Sequence, residues 1–417
     1  MSQTGKLGRP ADTDSVEQLP VPALLALAMT GFICIMTETL PAGLLPQLAA
    51  GLAVSPSLAG QTVTIYALGS LLAVIPLTLA TRGWRRRKVL LLTIMGFLIF
   101  NSATAWSSNY MLTLVARFLA GASAGLAWSL LAGYARRMVA PRLQGRALAI
   151  AMVGTPVALS LGTPLGTWLG AQLGWRLSFA AMSLLTLILI GLVLAKVPDY
   201  PGQSGAEALP LRRVLSTPGV RPVLGVVMTW MLAHNLLYTY VAPFVAIAGL
   251  GRSVDAVLLV FGMAALSGIG ITSRIVDRHL RTAVLASLAA FAFVALVFGF
   301  MARFSTIVYA SVGIWGLTFG GAATLLQTAL ADAAGDGADV ALSMNVVVWN
   351  GAIAGGGVLG GVLLDHYGAT SFPWAMSALL IAGFAIAFCA HPHGFPRGHR
   401  LTVATKPRQR QEEATAI

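Results

Sequence analysis

The feature that most constrains this chain is a succession of apolar runs, each about 20 residues long, separated by short stretches that hold most of the charge. An α-helix rises about 1.5 Å per residue, so a run of this length matches the roughly 30 Å hydrocarbon core of a bilayer. Only 10% of the residues are charged, against about 25% in an average soluble domain. The sequence therefore predicts an all-α integral membrane protein.

Hydropathy, together with the positions of glycine, proline and charged residues, predicts twelve transmembrane helices. Numbered spans 1 to 12 along the chain, they are residues 22–46, 57–80, 87–106, 109–135, 145–171, 176–196, 222–248, 255–275, 282–302, 304–330, 341–366 and 372–391. The apolar run of span 1 is longer than the core of a signal peptide, and no small-residue cleavage site follows it. We therefore expect span 1 to be retained.

The distribution of lysine and arginine predicts the topology. Of the 27 such residues, 23 lie in the N-terminal segment, the C-terminal tail and the loops that follow even-numbered spans. The opposite loops hold Arg176, Arg252 and Arg303, and Arg117 lies within a span. The positive-inside rule then predicts that both termini lie in the cytoplasm, and the expected location is a bacterial inner membrane. Because topology explains most of the net charge of +13, no nucleic-acid partner is predicted, whereas the basic tail is expected to meet anionic membrane lipid.

The longest loop between spans, residues 198–219, is rich in turn-forming residues and divides the spans into two sets of six. The predicted units are a cytoplasmic N-terminal segment 1–21, a six-helix bundle 22–197, a linker 198–221, a second six-helix bundle 222–391 and a basic tail 392–417.

The two halves carry matching glycines. Gly121 and Gly125 in span 4 recur 195 residues later as Gly316 and Gly320, and a glycine-rich stretch of span 5 recurs in span 11. The latter correspondence joins Gly162, Gly166 and Gly174 to Gly356, Gly360 and Gly368. Because six spans separate the copies, both point the same way across the membrane. This predicts a parallel repeat of the kind found in two-bundle transporters.

Glu38 is the only charged residue between Val21 and Pro46. Its helix places small or polar residues such as Gly31 and Cys34 near its own face and bulky aliphatic residues on the other. A carboxylate facing lipid would cost several kcal/mol, so Glu38 is predicted to face the bundle interior.

Arg117 is the predicted partner of Glu38. Both residues lie about eight positions from the outer ends of their spans, hence at a similar depth of roughly 12 Å. The pair is predicted to serve proton coupling, since a buried acid whose pKa depends on a movable cation can load and release a proton. A direct ion pair, a water-bridged pair and a static salt bridge that only specifies helix packing all remain open.

Polar and aromatic residues near the middle of other spans are candidate substrate ligands, since transporter sites lie near the bilayer midplane between repeats. For each of them a packing role is the alternative. The candidates are Tyr66, Trp128, His234, Asn235, Tyr238, Gln327, Asn345, Trp349 and Asn350.

Two features suggest gating. The cationic loop "RGWRRRKV" (82–89) and its counterpart "DRHLR" (277–281) could dock on span ends and latch one state, and prolines in span 5 should kink that helix. The candidate gating residues are Arg82, Arg86, Pro156, Pro164, Asp277, Arg278 and Arg281.

Five stretches resemble the major facilitator superfamily, and specifically its drug:proton antiporter branch near sugar and purine-nucleoside exporters. "TETLPAGLLPQLA" (37–49) is similar to the first-helix signature of that branch, and "RFLAGASAG" (117–125) to its fourth-helix motif. "GTPLGTWLG" (162–170) resembles the glycine/proline motif of span 5, followed by "GWRLSF" (174–179), and "YTYVAP" (238–243) matches the seventh-helix pattern. The resemblance covers roughly residues 25–390.

This resemblance implies the major facilitator fold, a link between the span 4 arginine and proton transfer, and export as the direction of transport. Two positions depart from the family pattern. Thr81 occupies the place of the aspartate that normally precedes the basic run of loop 2–3, whereas Asp277 is kept in loop 8–9. In addition, Thr163 is inserted between Gly162 and Pro164 of the span 5 motif.

The leading hypothesis is a proton-coupled exporter of a small neutral or weakly cationic organic molecule such as a drug, sugar or nucleoside. Two bundles would rock about a central cavity, with the proton gradient rather than a cofactor as driving force. A facilitator or uptake symporter is the alternative, and an integral membrane enzyme a distant one, since no metal-ligand spacing or phosphate-binding loop appears in the sequence. The protein is expected to act as a monomer.

Overall fold

The computed structural model describes residues 19–202 and 210–396, and within these ranges all regular structure is helical. The predicted N-terminal segment, linker and basic tail lie wholly or partly outside the described residues.

The first half contains the helices of spans 1 to 6. Span 1 ends earlier than predicted, at Gly43, and a separate short helix follows it, while span 5 is divided into several helical pieces. The helices are Val21–Gly43, Leu45–Leu52, Pro56–Ala80, Arg86–Trp106, Tyr110–Arg137, Gln144–Met152, Gly154–Val157, Thr163–Leu173 and Trp175–Lys196.

The second half repeats this arrangement. Span 7 breaks at Tyr240 instead of continuing as one helix to residue 248, and span 10 extends to Ala334. The helices are Leu211–Leu215, Val220–Thr239, Val241–Val245, Val254–Met301, Ser305–Ala334, Ala338–Tyr367 and Phe372–Cys389.

The prediction of twelve spans agrees with these helices. Ten stretches of the described chain are long and apolar enough to cross a membrane, and two of them are double. Val254–Met301 has 48 residues and a non-helical conformation at His279 (φ −132°, ψ 31°), which separates spans 8 and 9. Ser305–Tyr367 contains spans 10 and 11, joined by the short 3₁₀ turn Gly335–Gly337.

Local sequence signals set several helix ends. The side chains of Ser55 and Asn109 accept hydrogen bonds from the backbone N–H three residues later, which caps spans 2 and 4. Gly174 (φ 93°) and Gly368 (φ 73°) end spans 5 and 11 in a backbone conformation that favours glycine. These two glycines are members of the predicted repeat.

Glycines bring spans 2 and 4 together in the first bundle and spans 8 and 10 together in the second. At each of these glycines an added Cβ would lie 1.9–2.7 Å from a backbone carbonyl oxygen of the facing helix. The four contacts join Gly121 to Tyr66, Gly125 to Ser70, Gly316 to Phe261 and Gly320 to Ala265. In both contacts of the first bundle, each partner lies 195 residues before the equivalent partner in the second bundle. The internal repeat predicted from glycine spacing is therefore confirmed as a repeat of packing.

The two bundles meet along three pairs of helices. Span 2 packs against span 11, span 5 against span 8, and span 1 against span 7. Span 1 therefore contacts helices of both bundles, and it carries Glu38 into the space between them.

Candidate proton and substrate site between the helix bundles

Glu38 lies half-buried in span 1, between two threonines that are anchored to other helices. Thr37 accepts a hydrogen bond from the Asn101 amide (3.0 Å), and Thr39 is hydrogen-bonded to Thr163 (2.8 Å). The Glu38 carboxylate itself makes no hydrogen bond or contact ion pair with any residue that the structure describes. The helix is thus held firmly while its acid is left without a fixed partner.

Arg117 is fully buried in span 4. Its Nε donates to the Thr62 carbonyl oxygen at 3.2 Å, and its guanidinium carbon lies 4.7 Å from the centroid of the Tyr66 ring and 5.9 Å from that of Phe179. Aromatic faces attract such a cation because of their negative quadrupole. Both Nη atoms have no hydrogen-bond partner among the described residues, which is unusual for a buried charge.

Glu38 and Arg117 lie within electrostatic range of each other but do not form the direct ion pair that the sequence left open. Tyr66 connects their helices. Its hydroxyl donates to the carbonyl oxygen of Cys34 (2.9 Å), one turn before Glu38, while its ring faces the Arg117 guanidinium. Tyr66, predicted as a substrate ligand, therefore tethers span 1 to span 2 and supports the arginine.

Trp128 is half-buried and packs spans 1 and 4 together. The tip of its indole lies 3.6 Å from the position of a Cβ added to Gly31, two turns before Glu38 on the same face. One edge of Trp128 is thus used in packing.

His234 is enclosed by rings in the second bundle. Its Nδ1 accepts a hydrogen bond from the Trp315 indole N–H (3.1 Å), and its ring stacks on Phe319 with centroids 3.6 Å apart. Tyr238 and Phe261 lie 5.2 and 5.8 Å from it, centroid to centroid. This aromatic cluster, comprising His234, Tyr238, Phe261, Trp315 and Phe319, favours the packing alternative for His234.

The candidate asparagines are buried at the interfaces of their spans. The side-chain amides of Asn235 and Asn350 each donate to a backbone carbonyl one turn earlier, that of Met231 (2.7 Å) and Val346 (3.0 Å). The Asn345 side-chain oxygen is buried with no partner among the described residues. Asn345 is therefore the asparagine best able to accept a hydrogen bond from a solute.

The last two substrate candidates differ in exposure. Trp349 is half-buried and packs on an apolar cluster across the bundle interface, with Val63 and Ala67 of span 2 and Ile353 of span 11. Gln327 is exposed on span 10. Trp349 therefore lies at the contact between spans 2 and 11.

The cationic loop after span 2 is held by an acid that the sequence analysis missed. Asp199, in the segment that follows span 6, forms an ion pair with Arg85 and accepts a hydrogen bond from the Arg87 amide (3.1 Å). Burial acts to raise the pKa of the Asp199 carboxyl, but these hydrogen bonds outweigh it and hold the pKa below its ordinary value. Asp199 thus supplies from span 6 the carboxylate that is absent at Thr81.

Arg86 also connects the loop after span 2 to the segment that follows span 6. Its guanidinium donates to the Arg82 carbonyl oxygen (3.0 Å), and its amide donates to the Tyr200 carbonyl oxygen (2.8 Å). These contacts link parts of the first bundle to one another. In this conformation they are not contacts between the bundles.

In the second half, Arg281 docks on the end of span 12. Its guanidinium donates to the carbonyl oxygens of Ala387 (3.0 Å), Phe388 (3.0 Å) and Phe395 (2.9 Å). The last carbonyls of a helix lack intrahelical partners and attract cations. The docking of a cation on span-end carbonyls therefore occurs here, within one bundle, while Asp277 and Arg278 lie on the helix just before the kink at His279.

Span 5 is irregular where the sequence places its prolines. Pro156 lies in the short helix Gly154–Val157, a π-helical turn follows over Ala158–Gly162, and Pro164 begins the next helix together with Thr163. Single π-helical turns arise when one residue is inserted into an α-helix, and they are frequent at functional sites. The predicted irregularity of span 5 thus takes the form of a π turn.

At the end predicted to face outward, called the outer end below, Tyr240 locks the bundles together. Its buried hydroxyl accepts from the Gln61 amide of span 2 at 3.2 Å, across the interface, and donates to the Gly357 carbonyl oxygen of its own bundle at 2.8 Å. Its ring fills the space above Gly60 of span 2, where an added Cβ would lie within 2.3 Å. The sequence analysis missed Tyr240, although the neighbouring glycines of spans 2 and 11 are a signal of such close approach.

A second hydrogen bond crosses the interface nearby. The Ser57 hydroxyl donates to the Asp365 carboxylate at 2.7 Å, joining the start of span 2 to the end of span 11. Together with Tyr240 it forms the outer latch, a name used here for Ser57, Gln61, Tyr240 and Asp365.

A sequence model of the Major Facilitator Superfamily matches residues 27–354. The chain belongs to this superfamily. The two helix bundles and their glycine-packed repeat are therefore those of a multi-pass membrane transporter.

Curated relatives of this superfamily member include the purine ribonucleoside efflux pump NepI of Escherichia coli (strain K12) and of Shigella flexneri. Each is 28% identical over 370 residues, covering 88% of this chain and 93% of the relative. A solved structure of similar fold is a bacterial homolog of the human lysosomal transporter Spinster, in an inward-facing and unoccupied conformation. It aligns with a TM-score of 0.65 and 13% identity, covering 93% of this chain and 100% of that one.

Proposed function

We propose that this protein exports a small, ring-containing organic molecule across a bacterial inner membrane in exchange for protons, with its termini in the cytoplasm. Purine ribonucleosides are the first candidate class, because the curated relatives are purine ribonucleoside efflux pumps. Such molecules are neutral and aromatic. They suit a site where one carboxylate and one guanidinium nearly cancel and where Trp128 and Trp349 supply rings.

The observation that carries the proton coupling is the state of Glu38. An acid in the middle of a membrane helix that has no fixed partner can take up and release a proton without first breaking an ion pair. Arg117 lies within its electrostatic range but is held by Tyr66 and the Thr62 carbonyl. A change in the distance between Glu38 and Arg117 would therefore change how strongly Glu38 holds its proton.

Alternating access would depend on the outer latch. Its hydrogen bonds join the beginning of span 2 to spans 7 and 11, so it would have to open for substrate to leave outward. We propose that proton binding at Glu38 and opening of this latch are steps of the same cycle.

Transport into inverted membrane vesicles tests this function. Wild type should accumulate inosine, or another member of a panel of nucleosides, sugars and antibiotics, when the vesicle interior is acidified. Accumulation should vanish when a protonophore collapses the gradient. E38Q should no longer respond to the gradient, whereas D336N, an acid-to-amide change in an exposed turn, should behave like wild type.

Each hypothesis gives a different result in this assay. A facilitator would equilibrate the same solute with or without the gradient, and an uptake symporter would accumulate it only in right-side-out vesicles. Gradient-dependent accumulation by E38Q at the wild-type level would contradict the assignment of Glu38 as the proton site.

A further inference from the structure

We propose that Thr163, together with Thr39 and Tyr238, is the link through which the second bundle responds to the protonation state of Glu38. The three residues lie on spans 5, 1 and 7, at the junction of the two bundles. This inference rests on the proton coupling proposed above and assigns it a positioning element.

The π turn places Thr163 at this junction. The Thr163 backbone N–H bonds to the carbonyl oxygen of Ala158, five residues back instead of four, so one extra residue is accommodated in the helix. The extra residue with respect to the family motif is Thr163 itself. The turn brings its fully buried hydroxyl toward span 1, where it also contacts the Met36 sulfur at 3.8 Å.

The shortest contacts set the direction of the hydrogen bonds. Thr39 lies 2.8 Å from the Ile35 carbonyl oxygen and donates its one hydroxyl proton there. The Thr163 hydroxyl lies 2.8 Å from Thr39 and 3.2 Å from the Ala158 carbonyl oxygen, and the shorter of these two contacts takes the Thr163 proton. Each threonine oxygen still has lone pairs that can accept a further hydrogen bond.

Tyr238 brings that further donor from the opposite bundle. Its buried hydroxyl lies within reach of both threonines and within the electrostatic range of Glu38, but it forms no well-aligned hydrogen bond among the described residues. The ring is held by the aromatic cluster, with centroids 5.2 Å from His234 and 5.5 Å from Phe261. The ring is therefore held in place by its neighbours, and its hydroxyl lies at the junction without a well-aligned acceptor.

Two acceptors compete for this hydroxyl. An ionised Glu38 attracts the Tyr238 proton, because hydrogen bonds to charged acceptors are the stronger ones. When Glu38 is protonated that attraction is lost, and the Tyr238 hydroxyl can donate to the threonine pair. Protonation of one acid then changes whether span 7 is bonded to the Glu38 carboxylate or to the threonine pair that joins spans 1 and 5.

In the part of the chain that the structure describes, four other titratable or charged groups interact electrostatically with Glu38. Cys34 lies on the same helix, Tyr66 on span 2 and Arg117 on span 4, and Tyr238 comes from the second bundle. A pH profile of coupled transport that depends on Tyr238 and Thr163 would thus report on this junction.

The test compares Y238F, T163A and T163S with wild type in the inverted-vesicle assay, using inosine as the probe. We expect Y238F and T163A to lower gradient-driven accumulation about tenfold, the effect of losing one hydrogen bond near a charge, and to shift the pH profile of transport. T163S keeps the hydroxyl and should restore both. T186V removes a buried threonine hydroxyl that bonds to the backbone of its own helix, and should leave both unchanged.

Inosine exchange at equal pH on both sides measures correct folding and substrate binding without net proton movement, and it should persist in Y238F and T163A. If both variants show the wild-type gradient response and pH profile while E38Q has lost its own, the inference about the junction is wrong and the proposed function stands. If E38Q keeps the wild-type response, the proposed function fails instead. Should T163A not fold, Y238F alone decides between these outcomes.

Discussion

The two bundles share their packing but differ in the chemistry of equivalent positions. The glycine contacts of spans 2 and 4 recur 195 residues later in spans 8 and 10. At the same offset Tyr66 is replaced by Phe261 and Arg117 by Val312. The contact between spans 1 and 5 recurs between spans 7 and 11, and there Glu38 corresponds to Tyr238.

The second bundle holds rings where the first holds small residues. Ala120 and Ala124 in span 4 correspond to Trp315 and Phe319 in span 10, both members of the aromatic cluster around His234. The repeat thus preserves the residues that determine how closely the helices approach. Other positions vary between the repeats, so that a buried charge lies in the first bundle and a buried aromatic cluster in the second.

The largest effect is expected where the two bundles are alike. G121V and G316V both place side-chain atoms where a backbone carbonyl oxygen lies 1.9 and 2.3 Å from the first added carbon. Overpacking of this kind costs about 1–3 kcal/mol or more, and we expect both variants to yield little folded protein in detergent. G133A is the matched control, because a Cβ there meets nothing within 4 Å. Normal folding of G316V would show that the second bundle does not depend on the repeated contact.

The next largest effect is expected at Arg117, a charged position of the first bundle that is uncharged in the second. R117M removes a buried cation that Tyr66 and Phe179 support, and we expect gradient-driven transport to fall at least about tenfold, with a changed pH profile. V312A tests the equivalent position in the second bundle. It should alter the stability of the protein but not the pH profile of transport. Equal changes in pH profile for both variants would contradict the assignment of the charged chemistry to the first bundle.

A smaller effect concerns the outer latch between the bundles. Y240F removes the hydroxyl that accepts from Gln61, and S57A removes the hydroxyl that donates to Asp365. A hydrogen bond across the interface is worth about 1 kcal/mol, so each variant should shift the equilibrium toward outward opening about fivefold. The shift can be followed by alkylation of a single cysteine introduced at Val63, which is buried where spans 2 and 11 meet, with the native cysteines replaced. Y309F, a half-buried tyrosine of span 10, serves as the control, and faster alkylation in Y309F than in Y240F would count against the latch.

The smallest effect is expected at Asp199. Its pKa is lowered in the folded protein, so its contribution to stability is present above the ordinary carboxyl pKa of about 4 and is lost as pH falls through the lower folded value. Since Arg85 is largely exposed, D199N should cost less than about 1 kcal/mol at pH 7. Thermal unfolding should show that the difference from wild type shrinks toward pH 3, and a difference that grows there would refute the assigned role.

The spans and the repeat could be predicted from sequence because each depends on local composition. Apolar length predicts a membrane helix whatever its neighbours are, and glycine spacing identified the close contacts of spans 4 and 10. Polarity alone likewise singled out Glu38 and Arg117, since a charged residue in a span is conspicuous.

What the sequence did not show depends on pairs of distant residues. The ion pair of Asp199 with Arg85, the insertion of Tyr240 above Gly60 and the bond between Thr163 and Thr39 each join different helices. The inserted Thr163 was visible as a departure from the family motif. Its placement required the π turn, because a side chain's direction depends on the helix geometry that precedes it.

The central claim, that Glu38 exchanges its proton as the cleft binds substrate, can be tested on the purified protein in weak buffer. Addition of saturating inosine should release about one proton per wild-type molecule, measured with a pH indicator between pH 6 and 8, and none from E38Q, since linkage ties the proton to the substrate. The D336N control should release as much as wild type. Inosine binding by wild type with no proton release across this range, or equal release from E38Q, would contradict the account.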